Sequence, residues 1–288
     1  MNNSHKTTYL LSGIMLIFSL LVIFPFVLML LTSVKTMSEV EASSFIFIPK
    51  HISLINYIEA MNRGNWLRYF YNSIFVTIIT VLVSLIINSL AGYSFSRINF
   101  HGRDLLFIIS LIALMVPTQV TMIPLFILLK NFPLAGGNNI LGQGGIGFFN
   151  SYLGMILPYI AGPFGVFLFR QFYLNYPKSL DDAAAIDGLN RIRAFYYIYV
   201  PLGKPIFAVL AALKATSTWT EYTWPLIITN NDNMKTVQLA LTMFKDDTSI
   251  IWNQLMAATT LLTIPLVIAF LLAQKYFVEG IVTTGIKG

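Results

Sequence analysis

Four stretches of this 288-residue chain run without a single charged side chain: residues 7–34, 69–96, 105–129 and 248–274. A helix rises about 1.5 Å per residue and the hydrocarbon core of a bilayer is about 30 Å thick, so about 20 apolar residues cross it. Each stretch is longer than that. Inside lipid every backbone N–H and C=O has to be satisfied by the chain itself, which restricts spanning segments to helices or a closed barrel, and unbroken apolar runs of this length are helical. Two further spans are less clean. Residues 131–169 are uncharged but contain Gly136-Gly137-Asn138-Asn139 and Gly142-Gln143-Gly144-Gly145, turn-forming clusters that place a loop up to Asn150 and a helix from Ser151 to Arg170. Residues 202–225 form another span, interrupted by Lys214. The expectation is an all-α polytopic membrane protein with six transmembrane helices, residues 1–288 forming one transmembrane domain. A charged content of 10%, against roughly 25% in soluble domains, agrees with it.

Six spans return both termini to one side. Ten of the eighteen Lys and Arg residues fall on that side and seven on the other, with Lys214 inside a span. Because basic loops stay cytoplasmic, the termini and the loop before the fifth span are expected inside. The net charge of +6 then reports topology and contact with membrane lipid, not nucleic-acid binding. The first apolar run follows Lys6 as in a secretory signal, but it is too long and no small-residue cleavage site follows, so it reads as a retained helix. With no cysteine, nothing follows about disulfides. No Gly-x-x-x-x-Gly-Lys-Ser/Thr loop occurs, so ATP is not expected on this chain. His101 has no His or Cys nearby to complete a metal site, and no clustered His, Asp and Ser suggests catalysis. In the outer loop 33–68, Phe45-Ile46-Phe47-Ile48-Pro49 reads either as interfacial packing or as a surface for an external partner.

Between the fourth and fifth spans lies a polar island, Leu180-Asp181-Asp182-Ala183-Ala184-Ala185-Ile186-Asp187-Gly188, followed by Ile198-Tyr199-Val200-Pro201-Leu202. Ser179 suits a helix cap. Asp181 and Asp182 then occupy a first turn where the helix dipole favours negative charge, and three alanines make a narrow, strongly helical rod. Gly188 suits a sharp turn. Beyond it Leu189, Ile192, Phe195, Tyr196 and Tyr199 recur at helical spacing, giving a second short helix with one apolar face that ends at Pro201. An amphipathic helix lying on the membrane, with Arg191 and Arg193 at lipid head groups, explains the second helix but not the alanine rod and the glycine. Within the spans, Pro117-Thr118-Gln119, Pro124, Pro158, Gly162-Pro163 and Gly165 break helices or thin them. Such breaks occur in helices that line a cavity and in plainly kinked packing helices alike.

The polar island resembles the cytoplasmic coupling loop of ATP-binding-cassette importer permeases, whose signature reads Glu-Ala-Ala-x-x-x-Gly and, after a spacer, Ile-x-Leu-Pro. Asp182 stands where that family usually has Glu, and Val200 where it has Leu. Residues 92–108, Val116-Pro117-Thr118-Gln119-Val120, Gly165 to Phe172, Trp219 to Pro225 and the tail from Lys275 to Gly288 are similar to carbohydrate-specific permeases of the maltose type. The departures are Thr220, where an amide is common, and Lys214 in a usually apolar stretch.

The resemblance implies a permease subunit of an ATP-driven importer in the bacterial cytoplasmic (inner) membrane, moving a di- or oligosaccharide by alternating access and performing no chemistry itself. Its implied partners are a second homologous permease, two copies of an ATP-binding subunit that carry the ATP and Mg, and an extracytoplasmic sugar-binding protein. The coupling loop is expected at about residues 178–200. The resemblance assigns contact with the ATPase to Asp182, Ala183, Ala184, Asp187, Gly188 and Pro201, with Asp182 and Asp187 as anchoring and capping charges, and to Glu279 and Lys287 in the tail. Gln119, Lys214, Thr218 and Glu221 are the candidate pathway residues. Glu221 follows Lys214 by seven residues, hence on about the same helix face. Lys214 is then either a lysine that snorkels or pairs structurally, or one that gives the passage a positive potential suited to an acidic saccharide. A self-sufficient channel or secondary transporter is the alternative; it calls for paired acidic residues within the spans, where the sequence offers only Lys214 deep in a span and Glu221 near an outer end.

Overall fold

The computed structural model describes residues 3–44, 46–246 and 248–285. Helix α1 (Asn3–Ser33) is followed by the short α2 (Met37–Val40) and α3 (Ile55–Asn62), then by the long α4 (Trp66–Arg97). Three broken elements come next. Helix α5 (Arg103–Ile112), extended by a 3-10 turn at Ala113–Met115, meets α6 (Thr118–Lys130) at 104°. Helix α7 (Tyr152–Ile156) with its 3-10 turn Leu157–Tyr159 meets α8 (Pro163–Leu174) at 44°. After α9 (Ser179–Ile186), the run α10 (Arg191–Ala194), a π-helical turn Phe195–Tyr199 and α11 (Val200–Leu202) meets α12 (Lys204–Trp219) at 78°. Helices α13 (Thr223–Ile228), α14 (Val237–Ala240) and α15 (Trp252–Gly285) complete the chain. Three helices are long and apolar enough to cross a membrane unaided, with spans Thr8–Ser33, Trp66–Arg97 and Trp252–Leu272, and counting each bent pair as one span brings the total to the six expected. Among the described residues there is no strand beyond one isolated bridge, Lys245–Ile250.

Each break has a local cause. Val116 precedes a proline and is extended (φ −81°, ψ 119°), because the proline ring disfavours helical geometry in the residue before it. At Gly162 the backbone is again extended, and Pro163 restarts the helix at its first position, where its missing N–H costs nothing. Gly203 sits where a Cβ would lie 2.8 Å from the Tyr199 carbonyl oxygen. The fifth span is shorter than expected. Its helix stops at Trp219 rather than continuing to Pro225, and α13 starts afresh with the Glu221 carboxylate accepting the Trp224 N–H at 3.0 Å.

The chain divides into two compact units, residues 1–66 with 240–265 and residues 67–239 with 266–288. The first unit is tied by a buried amide: Asn56 donates to the Ser33 and Lys35 carbonyls, each at 2.8 Å, and accepts from Asn253 at 2.9 Å. Arg63 and Glu59 close on either end of the Gln254 amide at 2.6 and 2.7 Å. The second unit has two aromatic-rich cores. One gathers Val76, Leu129, Met155, Ile156, Trp224 and Ile228, with the Trp224 indole donating to the Gly154 carbonyl at 2.9 Å. The other gathers Tyr93, Phe169, Tyr173, Phe195, Tyr199 and Leu210. The glycine-rich loop is folded around buried Asn138, which donates to the Lys130 and Phe132 carbonyls and accepts from the Gly145 N–H.

Candidate functional site

The polar island folds as two short helices with a turn between them. Lys178 precedes α9, its carbonyl accepting the Asp181 and Asp182 N–H groups at 2.9 and 3.2 Å. Ser179 is therefore the first helical residue and not the cap. Gly188 has φ +75°, a left-handed conformation that side chains with a Cβ resist. Asn190 caps α10, accepting the Arg193 N–H at 2.8 Å. The apolar positions of the second helix serve two faces. Phe195 and Tyr199 are buried in the aromatic core, while Ile192 and Tyr196 face outward, as do Ile186 and Tyr197. In the alanine rod Ala183 and Ala185 are exposed and Ala184 is buried. Asp182, Asp187 and Pro201 are exposed.

The charge that holds this handle is Asp181. Arg97, the last residue of α4, donates to Asp181 Oδ2 at 3.2 Å, to the Tyr176 carbonyl at 2.6 Å and to the Tyr173 carbonyl, and its guanidinium lies 5.2 Å from the Tyr199 ring centre. Tyr199 in turn donates to Asp181 Oδ1 at 2.8 Å, and the Tyr93 hydroxyl donates to the Arg191 carbonyl at 3.2 Å. Arg97 thus caps the C-terminal carbonyls beyond α8, where a cation is favoured, and binds the start of α9 with the same group. The Arg97 and Asp181 side chains are only 4% and 15% exposed, so the pair is little screened by solvent.

A second feature lies on the same helices. A cavity of about 310 Å³ is lined by Ser84, Leu85 and Asn88 of α4, Gly162, Phe164 and Gly165 at the start of α8, and Leu210, Leu213, Lys214 and Ser217 of α12. Asn88 spans its wall, donating to Ser84 Oγ at 2.8 Å and accepting the Gly162 N–H at 3.1 Å. It also leaves no room for a side chain at Gly165, whose Cβ would fall 2.6 Å from Asn88 Nδ2.

Of the four candidate pathway residues the structure brings only Lys214 to this cavity. Its ammonium sits over the Tyr159 ring, 5.6 Å from the centroid. Glu221 is engaged elsewhere, by the Trp224 N–H and by the Tyr159 hydroxyl. Gln119 is exposed on α6, and Thr218 is half-buried on α12 with no hydrogen-bond partner for Oγ1 among the described residues. Glu279 lies in α15 with its side chain outside the described residues, and Lys287 lies outside them altogether. Outside the spans, the Lys235 ammonium and then the Tyr69 hydroxyl hold the Asp232 carboxyl below the usual range, against the opposing effect of burial. Among the described residues no group of three or more His, Asp or Glu side chains is placed to hold a metal ion.

The family of binding-protein-dependent transport system inner membrane components matches residues 84–283. The chain is 33% identical over 273 residues to the arabinooligosaccharides transport system permease protein AraQ of Bacillus subtilis (strain 168), covering 94% of this chain and 92% of that one. It is 31% identical over 287 residues to the probable starch degradation products transport system permease protein AmyC of Thermoanaerobacterium thermosulfurigenes, over the full length of both. Among solved structures, a chain of a bacterial ABC transporter involved in the import of the acidic polysaccharide alginate superposes with a TM-score of 0.78 at 21% identity, covering 96% of this chain and 99% of that chain.

Proposed function

The chain belongs to the binding-protein-dependent transport system inner membrane components and is a multi-pass transport permease subunit, not itself catalytic; from that premise we propose that it moves an oligosaccharide inward by alternating access, driven by ATP hydrolysis on a partner. The names of its relatives, arabinooligosaccharides and starch degradation products, support the substrate class. Residues 1–288 act as one permease domain beside a second, homologous permease, and two ATP-binding subunits carry the ATP and Mg. The extracytoplasmic binding protein delivers sugar. The termini and the loop at about residues 178–200 face the cytoplasm of a bacterial inner membrane, and Asp182, Ala183, Asp187 and Gly188 lie on the surface that meets the ATPase. Ala184 and Pro201 shape that surface, and Glu279 and Lys287 extend the contact along the tail.

The observation that carries this reading is that handle and cavity share their helices. Helix α4 gives Ser84 and Asn88 to the cavity and Tyr93 and Arg97 to the handle; α8 gives Gly162 and Gly165 to the cavity and Phe169 and Tyr173 to the handle. Asn88 and Arg97 are nine residues apart, about 14 Å along a helix rising about 1.5 Å per residue. Coupling requires a physical element that both sites bias, and α4 and α8, each continuous from cavity to handle, connect the two. Ile186, 86% exposed at the end of α9, is the natural apolar anchor for a groove on the partner. Ile186→Asp is expected to abolish copurification of the ATP-binding subunit while the chain still inserts. Undiminished copurification and undiminished sugar-stimulated ATP turnover would refute the assignment of the handle, and solute flux without any ATPase would favour a channel.

A further inference from the structure

We infer that the cavity under the break in the fourth span is a binding site for one ring of an anionic saccharide, with Lys214 as the residue that selects the negative charge. This rests on the reading of the chain as an importer permease. The argument is one of donor inventory. The Lys214 ammonium has no hydrogen-bond or carboxylate partner among the described residues and lies over the face of Tyr159. An ammonium offers three donors and no acceptor, so this group arrives at the cavity with its hydrogen-bonding capacity unspent. Ser84 accepts from Asn88 and keeps its own hydroxyl hydrogen for the cavity. Asn88 accepts the Gly162 N–H with one lone pair of its oxygen and keeps its second amide hydrogen as a donor.

The break adds to this balance. Helix α8 runs for twelve residues from Pro163, and its ladder begins with the Val166 N–H on the Gly162 carbonyl. The N–H groups of Phe164 and Gly165 therefore belong to the unsatisfied set at a helix start, where the helix dipole also places partial positive charge. Glycine at 162 and 165 brings that backbone to the cavity surface. No carboxylate lines the space. Ser217 gives its hydroxyl hydrogen to the Lys214 carbonyl and so lines the space as an acceptor that a sugar hydroxyl can use, but the ammonium and the helix start make donors the majority; a carboxylate or phosphate, which only accepts, matches that surplus. At about 310 Å³ the space falls at the small end of the ~300–1,000 Å³ typical of ligand pockets, and it admits one sugar ring with the remainder of the chain outside. The Phe164 ring, half of it exposed, offers that sugar an apolar face.

The test uses the intact importer with its partner subunits in proteoliposomes, comparing uptake of a uronate-containing disaccharide, a hexose phosphate and a neutral disaccharide. For Lys214→Met the ratio of anionic to neutral uptake is expected to fall roughly ten- to a hundredfold, the equivalent of one charge-assisted hydrogen bond. Lys214→Arg is expected to keep the ratio within about threefold. Ser84→Ala, which leaves the lysine in place, should lower the ratio less. Retention of the uronate alone or of the phosphate alone identifies which anion the site takes, and either supports the proposal. A wild-type importer that moves only neutral sugars, with a ratio unchanged by Lys214→Met, overturns the anionic site while leaving the importer reading intact. Anionic phospholipid that copurifies with wild type and is lost in Lys214→Met, with saccharide ratios unchanged, also overturns it and makes Lys214 a lipid anchor. No response to any saccharide overturns both readings.

Discussion

Arg97→Met is the perturbation that isolates the handle's attachment, because methionine keeps most of the apolar stem and removes only the guanidinium. That group makes one hydrogen bond to the Asp181 carboxylate and two to the Tyr173 and Tyr176 carbonyls. Bonds of this charge-assisted kind contribute about 1.5–3 kcal/mol each, and removing one partner of a buried ion pair costs about 3–5 kcal/mol because the other charge is stranded. Asp181 keeps the Tyr199 hydroxyl at 2.8 Å, which moves the expectation to the lower end, about 3 kcal/mol. At about 1.4 kcal/mol per factor of ten, docking of the handle on the bundle weakens by about 150-fold. Hydrogen exchange reads this directly at Asp187, Leu189 and Ala194, whose N–H groups bond to the Ala183, Ala184 and Asn190 carbonyls. Their exchange should accelerate by about two orders of magnitude, and sugar-stimulated ATP turnover should fall while basal turnover persists. Asp181→Asn on top of Arg97→Met removes the stranded charge and should recover at least about 1 kcal/mol, well outside the ~0.5 kcal/mol expected of independent sites. Exchange within threefold of wild type, or an additive cycle, would refute the attachment.

Two other substitutions address the geometry on either side of it. Gly188→Ala should cost about 1–2 kcal/mol, the strain of a left-handed residue with a Cβ, whereas Gly188→Pro cannot adopt φ +75° and should leave an inserted chain whose ATP turnover no longer responds to sugar; a normal response from the proline variant removes the turn from the mechanism. Gly92→Val places a Cβ 2.4 Å from Phe169 Cβ and 2.9 Å from the Arg170 nitrogen, so α4 and α8 must separate, with an overpacking cost of about 1–3 kcal/mol; a melting temperature equal to wild type would show that the two helices are not in this contact.

The spans were legible because nothing but a helix fits an uncharged apolar run of this length, and the loop ending at Asn150 because glycine clusters punctuate it. The breaks at Val116-Pro117 and Gly162-Pro163 were legible as positions but not as angles, since 44° and 104° depend on what each half packs against. Within the handle, local sequence favoured Asp182, the residue matching the family's acidic position, yet the structure attaches the handle through its neighbour. Asp181 is chosen by where Arg97 and Tyr199 arrive, 84 and 18 residues away in the chain, and no local pattern reports that. Arg97 itself looked like one basic residue among many in a loop count. Gln119 shows another limit: a polar side chain in an apolar run announces itself in sequence, but which face it takes is decided by the turn before it, and here it is exposed on α6. Lys214 was found by the same signal and does reach the cavity, because α12 turns that face toward Asn88 and Gly162.

The placement of the breaks decides how a push on the handle would travel. Helix α8 starts at the cavity, just after Gly162, and ends at the Arg97 cluster; α12 starts beside the handle, just after Gly203, and runs back to the cavity at Lys214 and Ser217. Neither helix is broken between its two ends. The discontinuities that could absorb motion therefore sit outside the rods: one at the cavity, where the Gly162 N–H donates to Asn88 and its carbonyl accepts the Val166 N–H, and one at the handle. The handle break is tight. The Gly203 N–H bonds to the Tyr199 carbonyl at 2.9 Å, the Gly203 carbonyl accepts the Phe207 N–H at 3.0 Å, and Phe207 meets Phe169 edge-on at 4.7 Å. Tyr199 is fixed to Asp181 through its hydroxyl and to Gly203 through its carbonyl, so on the proposed mechanism a displacement of α9 would reach α12 through Tyr199 and reach α4 and α8 through Arg97. Packed interfaces are close to incompressible. A shift imposed at the handle is expected to emerge at the far ends of the rods, where Lys214 and the start of α8 face each other across the cavity.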